Sequence, residues 1–179
     1  MLIVVVPAFI HENAVVTPEN VLYRFGGPTS GLLKYDGTEG GTIEKWDVLY
    51  IADYYIDGDG YIEFKIQSNL VGMMVGLKKE RIANEDIPTY AQLDYAVYHF
   101  RDRIVALYER YTPIKDLDLY DTEERITCRI ERKGDVITYK IGDDIYTSNQ
   151  KSDDKLYLSF ASMGHNVWSV EEIRIVGMY

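Results

Sequence analysis

A chain of 179 residues, 46% of them hydrophobic and 27% charged, has the size of one packed domain and too much apolar side chain to stay disordered. Lys and Arg number 19 against 29 Asp and Glu, and the formal charge of −10 repels phosphate backbones and anionic lipid, which argues against nucleic acid and membrane as partners. Cys128 is the only cysteine, so neither an intrachain disulfide nor a Cys-based zinc site can form within one chain.

In chain order, the apolar run 2–10 lacks a basic leader and a small-residue cleavage site and is too short to span a bilayer. It reads as a strand broken at Pro7, and a soluble protein made in the cytoplasm, or a virion part made there, is the expectation. Short β-branched and aromatic runs then recur between Gly, Asp and Asn clusters, with no sustained helical periodicity. Predicted strands are 2–6, 21–25, 32–35, 48–55, 61–67, 70–77, 93–100, 103–110, 125–131, 136–141, 144–147, 156–161 and 170–176. So many short strands with frequent turns call for two packed sheets. Segments 26–30 and 36–42 are glycine-rich and should be loops. Segment 78–90, where Lys79, Glu80, Arg81 and Glu85 cluster, reads as a short helix or surface loop, with Pro88 ending any helix. No repeat, low-complexity tract or linker divides the chain, so a single domain over 1–179 is expected.

Alternation is cleanest in three runs. Ile62, Phe64 and Ile66 point one way and Tyr61, Glu63, Lys65 and Gln67 the other; Ile126, Cys128 and Ile130 oppose Arg125, Thr127, Arg129 and Glu131; Ile137, Tyr139 and Ile141 oppose Val136, Thr138 and Lys140. Lys133-Gly134-Asp135 and Gly142-Asp143-Asp144 are turn signals between such runs. The predicted core is Ile62, Phe64, Ile66, Val75, Ile126, Cys128, Ile130 and Ile137, with Cys128 a buried, inert thiol. Arg101, Arg103, Arg125, Arg129, Arg132 and Lys133 are interleaved with acids and read as solvated strand faces.

A resemblance is carried by 46–52, Ile56-Asp57-Gly58-Asp59-Gly60-Tyr61-Ile62-Glu63-Phe64, Val75-Gly76-Leu77 and Asp94-Tyr95-Ala96-Val97-Tyr98. It continues through Val105-Ala106-Leu107-Tyr108-Glu109, Val136-Ile137-Thr138-Tyr139, Ile145-Tyr146-Thr147-Ser148 and 170–176. In this order the runs resemble the concanavalin A-like lectin/glucanase jelly rolls of bacteriophage virion and bacterial surface proteins. The resemblance implies an all-β, two-sheet antiparallel jelly-roll sandwich, with the terminal strands 2–6 and 173–176 lying close together. It specifies fold better than function. One departure is Arg110-Tyr111-Thr112, which stands where the family tends to have a glycine turn.

Asp57-Gly58-Asp59-Gly60 offers oxygen ligands at alternating positions, yet in the calcium-loop register Tyr55 and Ile66 take the first and last ligand places, so a tight turn is the better reading. The glucanase branch of the resemblance implies two close carboxylates on one strand. No Glu-x-Asp-x-x-Glu run exists; Glu63 stands alone, Glu171 and Glu172 are adjacent and face opposite sides, and Asp116, Asp118 and Asp121 sit in a loop-like acidic stretch. His11, His99 and His165 are scattered without metal-ligand spacing. Neither a metal, a cofactor nor a catalytic residue is assigned, and the expectation is a protein that is not an enzyme.

Aromatic residues crowd the middle third: Trp46, Tyr50, Tyr54, Tyr55, Tyr90, Tyr95, Tyr98, His99, Phe100, Tyr108 and Tyr111. Sugars expose apolar C–H faces and hydroxyls, so a carbohydrate site wants flat rings flanked by Asp, Asn or Arg. The plainer reading makes most of these rings strand and core residues. The expected ligand-binding set is Trp46, Tyr54, Tyr95, Tyr98 and His99 with Asp94 and Arg101. Two functions compete. One is a non-catalytic binding module for a glycan or cell-surface receptor, carried by a phage-type particle. The other is a structural virion protein, a capsid decoration or tail component, meeting other virion proteins and its own copies as a homo-oligomer. A glycosidase is a remote third.

Overall fold

The computed structural model describes residues 2–6, 15–16, 21–26, 30–35, 46–68, 71–100, 104–117, 126–163 and 168–177. Among them the strands are β1 Leu2–Val6, β2 Val15–Val16, β3 Val21–Gly26, β4 Ser30–Tyr35, β5 Trp46–Ile56, β6 Gly60–Ser68, β7 Val71–Lys78 and β8 Tyr95–Phe100. They continue with β9 Ile104–Glu109, β10 Thr112–Leu117, β11 Thr127–Lys133, β12 Val136–Ile141, β13 Asp144–Thr147, β14 Leu156–Met163 and β15 Trp168–Val176. A 3-10 turn, Thr89–Gln92, is the one helical element among the described residues. Sheet A has the order β1-β5-β14-β7-β8-β9-β10, and sheet B the order β13-β12-β11-β6-β15-β4-β3-β2. The pairings are antiparallel except that of β1 with β5.

The terminal strands do not pair as expected. Leu2–Val6 runs parallel to 48–52 at the edge of sheet A, whereas β15 lies inside sheet B between β6 and β4. The physical reason is in the patterns: a run without alternation suits a sheet that is apolar on both faces, and β15 alternates, turning Val170, Ile173 and Ile175 inward. Strands β2 and β10 stand where none was predicted. The sequence of β10 carries Pro113, Lys115 and Asp116, the composition of an exposed edge strand rather than a loop, and a register shift between Pro113 and Lys115 accommodates the proline. Pro88, expected to end a helix, instead precedes the 3-10 turn with φ −60, where its fixed φ and missing N–H do no harm.

The sheets face each other across a continuous core. Tyr50, Ile56, Val75, Val97, Leu107, Leu158 and Phe160 of sheet A meet Ile62, Phe64, Ile130, Ile137 and Tyr139 of sheet B, each no more than 1% exposed. Cys128 is buried there as expected, and burial pushes its thiol up to about 12. Ile126 lies one residue ahead of β11 and is only partly buried. Both predicted turns form: Gly134 and Gly142 take φ of 62 and 56 in two-residue hairpins.

Two polar side chains enter this core. Arg132 was grouped with the solvated basic residues, but it is in step with Cys128 and Ile130 and is 1% exposed. Its Nε donates to the Gly58 carbonyl at 2.6 Å and Nη1 to the Asp154 carbonyl, while Nη2 has no hydrogen-bond partner among the described residues. Strand register outranks charge here, because carbonyls of two turns receive the guanidinium. Arg129 does lie on the outer face, donating to Glu63 at 2.8 Å and stacking 3.9 Å from the Tyr61 centroid; Arg101, Arg103 and Arg125 lie outside the described residues. Glu109, 6% exposed, accepts from Tyr139 Oη at 3.2 Å and from Ser148 Oγ, tying sheet A to β12 and to the connection 148–155.

Phe64→Ala should lower stability by about 3–5 kcal/mol, the range for emptying a buried aromatic site, read as a fall in urea midpoint; an unchanged midpoint would remove Phe64 from the core. Burial raises the Glu109 carboxyl, with the hydrogen bonds from Ser148 and Tyr139 opposing it. A carboxyl raised in the folded state contributes stability that is fully present below its unfolded pKa and lost as pH rises through the folded one. Glu109→Gln should therefore abolish that loss, and urea midpoints of the two proteins that run parallel from acid to neutral pH would contradict it.

Candidate functional site

Sheet A is apolar on its outer face as well. Leu49 and Ile51 of β5, Met74 of β7, Ala96 of β8 and Ala161 of β14 alternate with the inward residues, yet none is more than 1% exposed. They are covered by the connection from β7 to β8, residues 79–94, whose Leu93 packs among them and whose 3-10 turn lies against β5 and β14. This strap holds its own shape. Gln92 accepts from the Asn84 amide at 2.8 Å and donates to the Asn84 carbonyl at 2.7 Å and the Ile87 carbonyl at 3.2 Å. Asp94 fastens its end: one carboxylate oxygen accepts from the Lys79 amide at 2.7 Å and the other from Arg110 Nε at 2.8 Å.

That contact also explains the departure at Arg110-Tyr111-Thr112. Arg110 adopts φ 56 in the turn between β9 and β10, a left-handed conformation that favours glycine, and its side chain and amide are held by Asp94 and by the Leu93 carbonyl at 2.9 Å. Tyr111, next in the turn, is 52% exposed.

Along the strap runs a chain of rings in edge contact. Tyr108 meets Tyr98 at 5.4 Å and 88°, Tyr98 meets Trp46 at 5.7 Å and 62°, Trp46 meets Tyr90 at 5.4 Å and 61°, and Tyr90 meets Tyr111 at 6.3 Å and 82°. Gly72, φ 93, lets Trp46 lie close to β7, since a Cβ there would stand 3.1 Å from the indole. Burial raises the Tyr98 and Tyr108 hydroxyls, with Asp116 adding to the effect at Tyr108. Trp46, Tyr90, Tyr98 and Tyr108 pack against the apolar cluster, and the array opens to solvent at Tyr111.

The expected contact set is divided by the two faces of sheet A. Trp46 and Tyr98 are in the outer array. Tyr54, 8% exposed, and Tyr95, 1% exposed, belong to the inter-sheet core, so the expectation that they present rings to a ligand is corrected. Tyr95 donates to the Gln150 carbonyl at 3.5 Å, and burial pushes its hydroxyl up to about 12. His99 is in step with Tyr95 and Val97 and so faces inward, opposite Tyr98. Asp94 is a brace, 7% exposed with both oxygens engaged, rather than a sugar-facing acid. Arg101 lies outside the described residues. Tyr90, Tyr108 and Tyr111 join the array without having been singled out; spacing across three segments held no sign that their rings meet. Among the described residues no group of three His, Cys, Asp or Glu side chains gathers to hold a metal, and no helix is long and apolar enough to cross a membrane.

No protein-family model matches the chain, and no curated protein matches it in sequence. In structure it is similar to the marine PL7 alginate lyase AlyA1 from Zobellia galactanivorans, at 10% identity and TM-score 0.51 over 94% of this chain and 84% of that one. It is also similar to a Bacillus subtilis protein of unknown function with a galectin-like fold, at 8% identity and TM-score 0.50 over 93% and 87%. The carbohydrate-binding module CBM66 from Bacillus subtilis matches at 7% identity and TM-score 0.47 over 92% and 91%. At these identities the likeness shows fold alone: a two-sheet jelly-roll sandwich of the concanavalin A-like kind.

Asp94→Ala should leave the Lys79 amide and Arg110 without their acceptor and cost about 1.5–3 kcal/mol. Faster hydrogen exchange at the Asn84 amide should accompany it, and unchanged exchange across 79–94 would show that Asp94 does not fasten the strap.

Proposed function

We propose that the domain is a non-catalytic carbohydrate-binding module whose contact surface is the aromatic array at the strap and the β9–β10 turn. The carrying observation is the ring chain from Trp46 to Tyr111, set outside the inter-sheet core and ending on a half-exposed ring. Such rings offer flat apolar surface to the C–H face of a sugar, and their hydroxyls offer hydrogen bonds at the edge. Arg110 and Asp116, both exposed, flank them with polar groups.

Strand-held carboxylates support the non-catalytic reading. Glu63 is paired with Arg129 at 2.5 Å and Arg174 at 3.9 Å on sheet B, Asp94 is engaged by Arg110 and Lys79, and Glu109 lies inside the core. None of these is an open acid beside the array; Asp116 of β10 is one, but glycoside hydrolysis needs two. Recognition of a host surface by a virion-borne copy is the setting that the strand order resembles. A second reading, a structural subunit acting through contacts with its own or other virion proteins, is favoured by Ile145, 69% exposed on the edge strand β13.

Glycan-array screening followed by calorimetry should find a saccharide whose binding weakens about tenfold in Tyr111→Ala and in Tyr90→Ala, the order expected for losing one stacking ring. Light scattering on the same sample separates the readings: a stable assembly that binds no saccharide would overturn the lectin function and leave assembly.

A further inference from the structure

Lys78 is a lysine that the sheet buries and that has no direct ion pair among the described residues. It closes β7 on the outer face of sheet A, alternating with the inward Leu77, and is 7% exposed. Five other lysines of the described region are ion-paired, Lys65 with Glu172, Lys79 with Asp154, Lys140 with Glu131, Lys151 with Asp135 and Lys155 with Asp57, whereas Lys115 and Lys133 are exposed to water. Lys78 has neither an ion pair nor a hydrogen bond among the described residues, and the hydrogen bonds of the adjacent carboxylate, Asp94, go to Arg110 and to the Lys79 amide. Burial lowers its amine pKa, against the pull of Asp94 and Glu80. Stem burial with the ammonium left at the surface is how a long cationic side chain lies along a sheet.

Its neighbours are rings. Tyr157 of β14 stands directly opposite Lys78, and Tyr55 of β5 stands directly opposite Tyr157, so the three form one row across three strands. In-register neighbours on one face lie about 5 Å apart, the width of a sugar ring. Both tyrosines are half-buried, their centroids 5.6 Å apart at 57°. Lys155 rests 4.8 Å from the Tyr55 centroid and reaches Asp57 only at 3.7 Å, while Lys79 reaches Asp154 at 3.4 Å; both are loose, partly exposed pairs of the kind that contribute little. Three ammonium groups thus stand beside two rings at one end of sheet A, Lys79 and Lys155 in loose pairs with Asp154 and Asp57 and Lys78 without a direct pair.

We infer that the row Tyr55, Tyr157 and Lys78 is a subsite for an acidic saccharide, whose ring lies on Tyr157 and whose carboxylate or sulfate pairs with Lys78. Lys79 and Lys155 flank the anion. A neutral sugar offers this ammonium no formal charge, whereas an anion gives it a charge-assisted hydrogen bond, and this difference selects the acidic ligand. The inference rests on the carbohydrate-binding reading and adds the class of sugar.

The test is calorimetry of the full chain at about 0.15 M salt, where the Debye length of about 8 Å screens repulsion from the rest of the surface. Probes are oligogalacturonate, a heparin-derived sulfated oligosaccharide and a neutral xylo-oligosaccharide. One or both acidic probes should bind more tightly than the neutral one, and Lys78→Gln and Tyr157→Ala should each weaken acidic binding about tenfold or more. Lys140→Gln, on the outer face of sheet B, should not. On wild-type protein with 13C-dimethylated lysines, the Lys78 resonance should shift on adding the acidic probe, a readout independent of how the variants fold. Neutral binding without acidic preference, or acidic binding that moves neither Lys78 nor its variant, overturns the subsite and leaves the carbohydrate function standing. Absence of binding by any saccharide overturns both.

Discussion

Sheet A is apolar on both faces, and everything of functional interest in this protein depends on how the second face is covered. An antiparallel sheet ordinarily turns one face to the core and one to water. Here Leu49, Ile51, Met74, Ala96 and Ala161 form a second buried layer, which among the described residues is covered by the strap between β7 and β8 and by the rings of Trp46, Tyr98, Tyr108 and Tyr157. Their side chains bury enough area that leaving them wet would cost several kcal/mol, at about 25 cal/mol per Å². The strap therefore has to lie down, and Gln92 supplies hydrogen bonds to the backbone groups of Asn84 and Ile87 as it does so.

Laying the strap across the sheet creates two borders, and the candidate contact surfaces are those borders. Along one, Tyr90 of the 3-10 turn meets rings from β5 and from the β9–β10 turn, so that Trp46, Tyr98 and Tyr108 are sealed at one edge and wet at the other. At the end where the strap leaves β7, Lys78 is buried beside Tyr157 while the acid nearest to it is taken by the fastening of the strap itself. Asp94 acts on that ammonium through space, while its hydrogen bonds go to the strap and to Arg110.

The polar groups inside the sandwich do comparable work on the loops at that end. Arg132 joins the turn at Gly58 to the connection at Asp154, and Glu109 joins β9 to β12 and to Ser148. Neither pairs with an opposite charge in the core. Each is held by neutral dipoles, which fix direction without the geometric demands of a buried ion pair. The connection 148–155, which carries the chain from sheet B back to sheet A, is fastened at its start by the Ser148 amide on Ile137 and midway by the Ser152 amide on Asp135.

Much of the fold was legible in the sequence, and the reason differs for each sheet. Sheet B shows clean alternation because its outer face is wet: Glu63, Lys65, Arg129, Glu131 and Lys140 alternate with core residues, Glu63 pairing with Arg129, Glu131 with Lys140 and Lys65 with Glu172, so register and burial follow from a period of two. Sheet A strands were legible as strands, by β-branched and aromatic content, but not by face, since an apolar residue follows an apolar residue in 48–52 and 95–98. Edge strand β10 was hidden by its proline and charges, which water tolerates at a sheet margin. Even Arg132 was in step with the core, and only its charge argued otherwise. Which rings are inside was decided by tertiary structure: Tyr95 and Tyr98 are alike in sequence, three residues apart, and one is core while the other is array. When both faces of a strand are apolar, local pattern carries no sign of which face meets the second sheet and which meets a strap. That is set by segments distant along the chain, and they become neighbours only on folding.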